Sequence, residues 1–281
     1  MSLAIMNEFE GKVAIVTGGA SGIGRAVCKA LARRGALVTV ADLDIEGAEQ
    51  VASSIKEAGD QARAVKVDVT KQAEVAALVD GVAHHHGRLD YMFNNAGITV
   101  GGEFRDTTLE HWQTALDVDF WSVVHGTMSA YRLMVRQGSG HIVNTSSIGG
   151  LIPVPIGTPY AAAKHAVVGF STSLRTEAAG VGVKVSVVCP GHVETSVSDR
   201  AVYATRFSSE EALAEIMARG RTMSATDCAK VILRGVARNR AIITVTWTAR
   251  LIWWVYRLAP GAVIYLFQRM ARQLGELRVE S

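Results

Sequence analysis

Acidic residues are missing from one long stretch of this chain: between Cys228 and Gly275 there is no Asp or Glu. The same stretch carries Lys230, Arg234, Arg238, Arg240, Arg250, Arg257, Arg269 and Arg272, so the remainder is net acidic although all 281 residues together carry +3. Proline is scarce, 5 in all, and no long polar tract is present, which excludes an extended linker. Cysteine is limited to Cys28, Cys189 and Cys228, an odd number at wide spacing. That excludes a disulfide framework and fits a reducing compartment, with the thiols acting as small buried hydrophobes. Met1 to Glu10 lack the basic opening of a secretory signal, so a cytoplasmic location is expected. Hydrophobic residues, by contrast, make up 49%, enough for a large core, and one α/β domain of this length is ordinary.

Short apolar runs alternate with stretches of helical spacing. Lys12 to Thr17, Leu37 to Ala41, Ala62 to Val67, Leu89 to Phe93, His141 to Asn144, Val183 to Val188 and Ala241 to Val245 read as seven strands. Between them, Ile23 to Arg34, Ile45 to Ala58, Gln72 to His86, Leu109 to Arg136, Tyr160 to Ala179, Glu210 to Arg219 and Thr226 to Arg238 read as helices. Strands apolar throughout imply a parallel sheet covered on both faces. The fold class is therefore α/β, a doubly wound sheet of seven strands in the order 3-2-1-4-5-6-7. Ligands of such sheets bind beyond the carboxyl ends of the strands.

The motifs fall at those ends. Thr17 to Gly24 joins the first strand to the first helix, and Gly18, Ser21, Gly22, Ile23 and Gly24 are placed to wrap a pyrophosphate against the helix N-terminus. Asp42 follows the second strand. A carboxylate there accepts both adenosine ribose hydroxyls and repels a 2′-phosphate, so NAD is expected rather than NADP; the bland alternative is a solvated strand-end acid. Asp68 and Val69, after the third strand, are candidates to line the adenine pocket, with a helix cap as a compatible role for Asp68. Asn95, Ala96 and Gly97, after the fourth strand, are small enough to let the chain pass beneath a cofactor.

Tyr160 and Lys164 stand four apart and share one helix face. An ammonium beside a phenol stabilises the phenolate and lowers its pKa, so the tyrosine could exchange a carbinol proton near neutral pH. Ser147, at the end of the fifth strand, could hold the substrate oxygen. With Thr17-Gly-x-x-x-Gly-x-Gly24, Asn94-Asn-Ala-Gly97, Asn144-Thr-Ser-Ser147, Tyr160-Ala-Ala-Ala-Lys164 and Pro190-Gly191, the chain resembles the short-chain dehydrogenase/reductase family from about Gly11 to Val245. The resemblance implies an NAD-dependent oxidoreductase interconverting an alcohol and its ketone or aldehyde. Tyr160 would be the general acid/base, Lys164 would bind the nicotinamide ribose, and Ser147 would orient the substrate. Pro190, Gly191, Val193 and Thr195 would hold the carboxamide. It also implies a homodimer or homotetramer. The chain departs from the pattern once: Asp119 stands where the family has an asparagine that helps organise a proton relay. Asp119 keeps an acceptor but loses the amide donor, so the alternative is a catalytically impaired, nucleotide-binding or membrane-surface protein.

Residues 8–246 are thus expected to form the dinucleotide-binding and catalytic domain, and residues 247–281 an apolar, basic helical extension. Arg257 and the Pro260-Gly261 break argue against one spanning helix and for two short amphipathic ones. Such an extension could lie on an anionic membrane surface, contact another subunit or cover the substrate cleft. An apolar substrate, steroid, retinoid or acyl-like, is expected from it. His84-His85-His86 ends a helix before Gly87, where imidazoles suit the dipole, and adjacent residues do not converge on one ion. No metal and no nucleic-acid partner is expected.

Overall fold

The computed structural model describes residues 7–194, 201–205 and 222–279. At its centre are seven strands: β1 (Val13–Thr17), β2 (Leu37–Asp42), β3 (Ala62–Lys66), β4 (Tyr91–Asn94), β5 (Gly140–Thr145), β6 (Val183–Cys189) and β7 (Ile242–Thr244). They form one parallel sheet in the order β3-β2-β1-β4-β5-β6-β7, as the sequence predicts. The order reverses beside β1, so the ends of β1 and β4 diverge and leave a crevice above them.

Strand period two sorts the core. Ala14 and Val16 of β1 face a cluster containing Val27 and Leu31 of α1 (Gly22–Ala32), Val51 and Ile55 of α2 (Ile45–Glu57), and Ile232 and Leu233, all buried. Val13 and Ile15 face the opposite layer, which holds Val75 and Val79 of α3 (Gln72–His86), together with Met134 and Ile142. The inner strands are buried on both sides, which is why they read as apolar runs, whereas edge strand β3 is only partly buried. The three cysteines are free and buried.

One helix departs from expectation. Leu109 to Arg136 is not continuous: α4 (Leu109–Leu116) passes through a π-helical turn, Asp117–Trp121, before α5 (Ser122–Gln137). The Ser122 N–H bonds the Asp117 carbonyl, five residues back, so one extra residue is accommodated in the turn. That insertion rotates the side chains on either side out of register, and it sets the aim of Asp119.

Beyond α6 (Thr158–Ala178), α7 (Ala225–Ala237) and β7, the chain continues into α8 (Trp247–Leu258) and α9 (Pro260–Gly275). The break falls at Ala259, with Pro260 in the first turn of α9, where a missing N–H costs nothing. Ile252, Trp253, Tyr256 and Phe267 pack against a cluster containing Leu151, Ile152, Val167 and Val187. Near the chain end, Arg278 pairs with Asp106 at 2.9 Å. The expected helix Glu210 to Arg219 lies outside the described residues.

Candidate active site

The glycine turn is shaped by contacts that a side chain would destroy. Gly18 has φ +65, and a Cβ on Gly24 would strike the Gly18 carbonyl and come within 2.7 Å of Asn95 Nδ2. The turn is fastened to the neighbouring segment: Thr17 Oγ1 accepts the N–H of Asn95 at 3.0 Å and of Ala96 at 3.2 Å, and Asn95 Nδ2 donates to the Thr17 carbonyl at 3.1 Å. Below it, buried Asn94 donates to Asn144 Oδ1 at 2.8 Å, and Asn144 donates to Ser171 at 3.0 Å. A satisfied amide network of this kind locks β4, β5 and α6 in register.

Asp42 is not a solvated strand-end acid. It is 5% exposed, and its two oxygens accept the Ala20 N–H at 2.9 Å and the Asp44 N–H at 3.0 Å. The carboxylate is thereby fixed at the wall of the crevice. Asp68 accepts both the N–H and the hydroxyl of Thr70, at 3.0 and 2.7 Å, in a turn before α3, whose N-cap residue is Lys71. The helix-cap role expected for Asp68 is therefore not the one it takes.

These elements enclose one cavity of about 540 Å³, within the usual range for ligand sites. Its wall contains Gly18, Ser21, Gly22, Ile23, Gly24, Asp42, Asp68, Val69, Asn95, Ala96, Gly97, Ser147, Tyr160, Lys164, Pro190, Gly191 and Val193. Of the expected residues, Asp119 lies behind this wall, and Thr195 lies outside the described residues. The wall also includes Leu43, Val67, Thr70, Ile98, Val118, Thr145 and Ser146, which the sequence did not single out. Ser146 carried a signal, since it adjoins Ser147. It is buried and donates to the Lys164 carbonyl at 2.8 Å, tying the end of β5 to α6. The cavity fits a dinucleotide on the observations that matter: a glycine cradle that tolerates no Cβ, the start of a helix, and a fixed carboxylate on the wall.

Tyr160 and Lys164 face the same cavity, with Lys164 Nζ 5.6 Å from the centre of the tyrosine ring. Lys164 Nζ also lies 3.2 Å from Asp119 Oδ1, in a pair whose side chains are 5% and 0% exposed. Asp119 Oδ1 accepts the Ile98 N–H at 2.9 Å, while Oδ2 is buried with no hydrogen-bond partner. Burial works to lower the Lys164 pKa, but Asp119 and Tyr160 together outweigh it and hold the ammonium charged. Asp119 is raised by burial despite Lys164.

The expectation of a lowered Tyr160 pKa needs correction. Burial pushes the phenol up, Lys164 pulls it down, Asp119 pushes it up again, and the hydroxyl of Ser147 pulls it down. The net direction is upward. The ammonium acts as expected, but desolvation and the charge of Asp119 exceed it.

Polar groups thus converge in one crevice along the carboxyl edge of a doubly wound sheet, the arrangement of dinucleotide-fold oxidoreductases. Comparison with known proteins narrows the class. The short chain dehydrogenase family model matches residues 12–204, and the chain belongs to that family. It is similar to SadH of Mycobacterium tuberculosis, 37% identical over 250 residues that cover 88% of this chain and 90% of the relative. It is also similar to the cyclohexanol dehydrogenase of Acinetobacter sp., 35% identical over 198 residues, 69% of this chain and 78% of that one. Among solved structures, a short-chain dehydrogenase/reductase from Burkholderia phymatum in complex with NAD superposes with a TM-score of 0.81 at 31% identity, covering 89% of this chain and 94% of that one. The protein is an oxidoreductase of this family.

Proposed function

We propose that the chain interconverts an apolar alcohol and its ketone or aldehyde with NAD(H), using Tyr160 as general acid/base. The observation that carries this reading is the presence of Tyr160, Lys164 and Ser147 in the same cavity as the glycine turn and Asp42. A bound nicotinamide supplies the hydride acceptor in oxidation and the donor in reduction. The glycine turn holds the pyrophosphate, Asp42 the adenosine ribose, and the Pro190 to Val193 stretch, with Thr195, the carboxamide. In oxidation, the Tyr160 phenolate accepts the carbinol proton, the Lys164 ammonium steadies that phenolate, and the Ser147 hydroxyl donates to the oxygen that becomes the carbonyl. The relative named for cyclohexanol supports a cyclic secondary alcohol as the simplest member of the substrate class. A stripe of exposed Trp121, Met128 and Val135, seven residues apart, supports assembly of copies through the helix that carries it.

Steady-state turnover of a panel of cyclic and long-chain alcohols, read by nicotinamide absorbance, tests the reading. Turnover with NAD is expected at least tenfold above turnover with NADP, because a fixed carboxylate opposes a 2′-phosphate. Asp42→Ala is expected to shrink that preference by an order of magnitude, mostly through the KM for NAD. Nucleotide binding without turnover of any alcohol or carbonyl would instead make this a nucleotide-binding protein that has lost its chemistry.

A further inference from the structure

We propose that α8 and α9, with the groove beside them, dock the protein on an anionic lipid surface. On α8, Trp247, Leu251, Trp254 and Leu258 recur at four-, three- and four-residue intervals, and Tyr265 and Leu266 follow on α9. All six are half or more exposed, Leu258 reaching 81%. Exposed tryptophan and tyrosine interleaved with leucine suit the boundary between headgroups and acyl chains. No helix among the described residues is long and apolar enough to cross a membrane, so the stripe is shaped to lie in the interface.

The charge beside the stripe selects the partner. A groove of about 380 Å³ adjoins the start of α8 and is lined by Arg234, Arg238, Arg240 and Arg250 around Trp247. All four arginines are exposed, and no carboxylate among the described residues forms an ion pair with any of them. Trp247 and Arg250 belong to the first turn of α8, so the cationic groove runs directly into the apolar stripe. A second copy of the chain is a poor occupant. A two-fold interface sets the same patch against itself, and a groove lined among the described residues by four arginines and no acid would then bring arginine against arginine. Phosphate headgroups above acyl chains satisfy both parts at once.

Flotation of the intact protein with phosphatidylcholine vesicles, and with vesicles containing about one-third phosphatidylglycerol, tests this. The protein is expected to rise with the anionic vesicles, to stay behind with the neutral ones, and to lose binding as salt is raised. Leu251→Ser with Leu258→Ser, and separately Arg234→Gln with Arg238→Gln, are each expected to weaken binding about tenfold or more, with an unchanged thermal midpoint. Soluble glycerol phosphate is expected not to release the protein. Several results would overturn the proposal: no flotation, equal flotation with both vesicles, or full release by glycerol phosphate, which reduces the groove to a site for a free anion. A mass in light scattering that halves in the leucine variant would assign the stripe to a second copy instead.

Discussion

Tyr160→Phe is expected to lower kcat by about 10³-fold while leaving NAD binding within a few-fold of the parent, because general acid/base transfer is worth about 10² to 10⁴. The substitution removes one oxygen and keeps the ring. The ring packs beside Gly149 and under the Lys164 ammonium, so the fold and the amine keep their neighbours. What disappears is the group that exchanges the carbinol proton. Stopped-flow turnover and calorimetric titration with NAD, run on both proteins, separate the two quantities. A loss of turnover matched by an equal loss of cofactor affinity would mean that the hydroxyl acts in binding, and the assignment of Tyr160 as acid/base would fall. A loss smaller than about tenfold would shift the proton exchange to Lys164 or solvent.

The sheet was legible because its inner strands are buried on both faces, which forces an unbroken apolar run such as Val13 to Thr17. The crevice was legible because its contacts need particular backbones: only glycine fits against the Gly18 carbonyl at position 24. The π turn was not legible. Its helical periodicity is interrupted by a single residue, a change smaller than the tolerance of a pattern read across four turns. Nor did spacing reveal the upward shift of Tyr160, since desolvation depends on how deeply the fold buries a group and not on which residue stands four positions away. The packing of α8 and α9 against Leu151 and Val187 was equally hidden, because an amphipathic helix shows that it has an apolar side but not what that side meets.

Asp119 is where the missed geometry and the departure from the family pattern coincide, and it yields the second large expected effect. Asp119→Leu leaves a buried ammonium at Lys164 without its counter-charge and strips the Ile98 N–H of its acceptor. Breaking one side of a buried pair costs about 3 to 5 kcal/mol, so a fall of that size in unfolding free energy is expected by denaturant titration. Asp119→Asn is expected to cost much less, because its amide oxygen can still accept from Ile98 and because its NH₂ group replaces an oxygen that now has no partner. Its informative effect is on pH dependence. The Asp119 carboxylate raises the Tyr160 pKa, so removing that charge lets the phenol ionise at lower pH, provided that Lys164 keeps its proton after losing one of the groups that oppose its burial. In oxidation, which needs the phenolate, the acid limb of kcat against pH is expected to move toward lower pH; in reduction, which needs the phenol, the alkaline limb moves the same way. An unmoved limb would show that the charge of Asp119 does not reach the reacting oxygen. A limb displaced to higher pH would show that Lys164 loses its proton first, making the carboxylate the guardian of the ammonium and not a brake on the phenol.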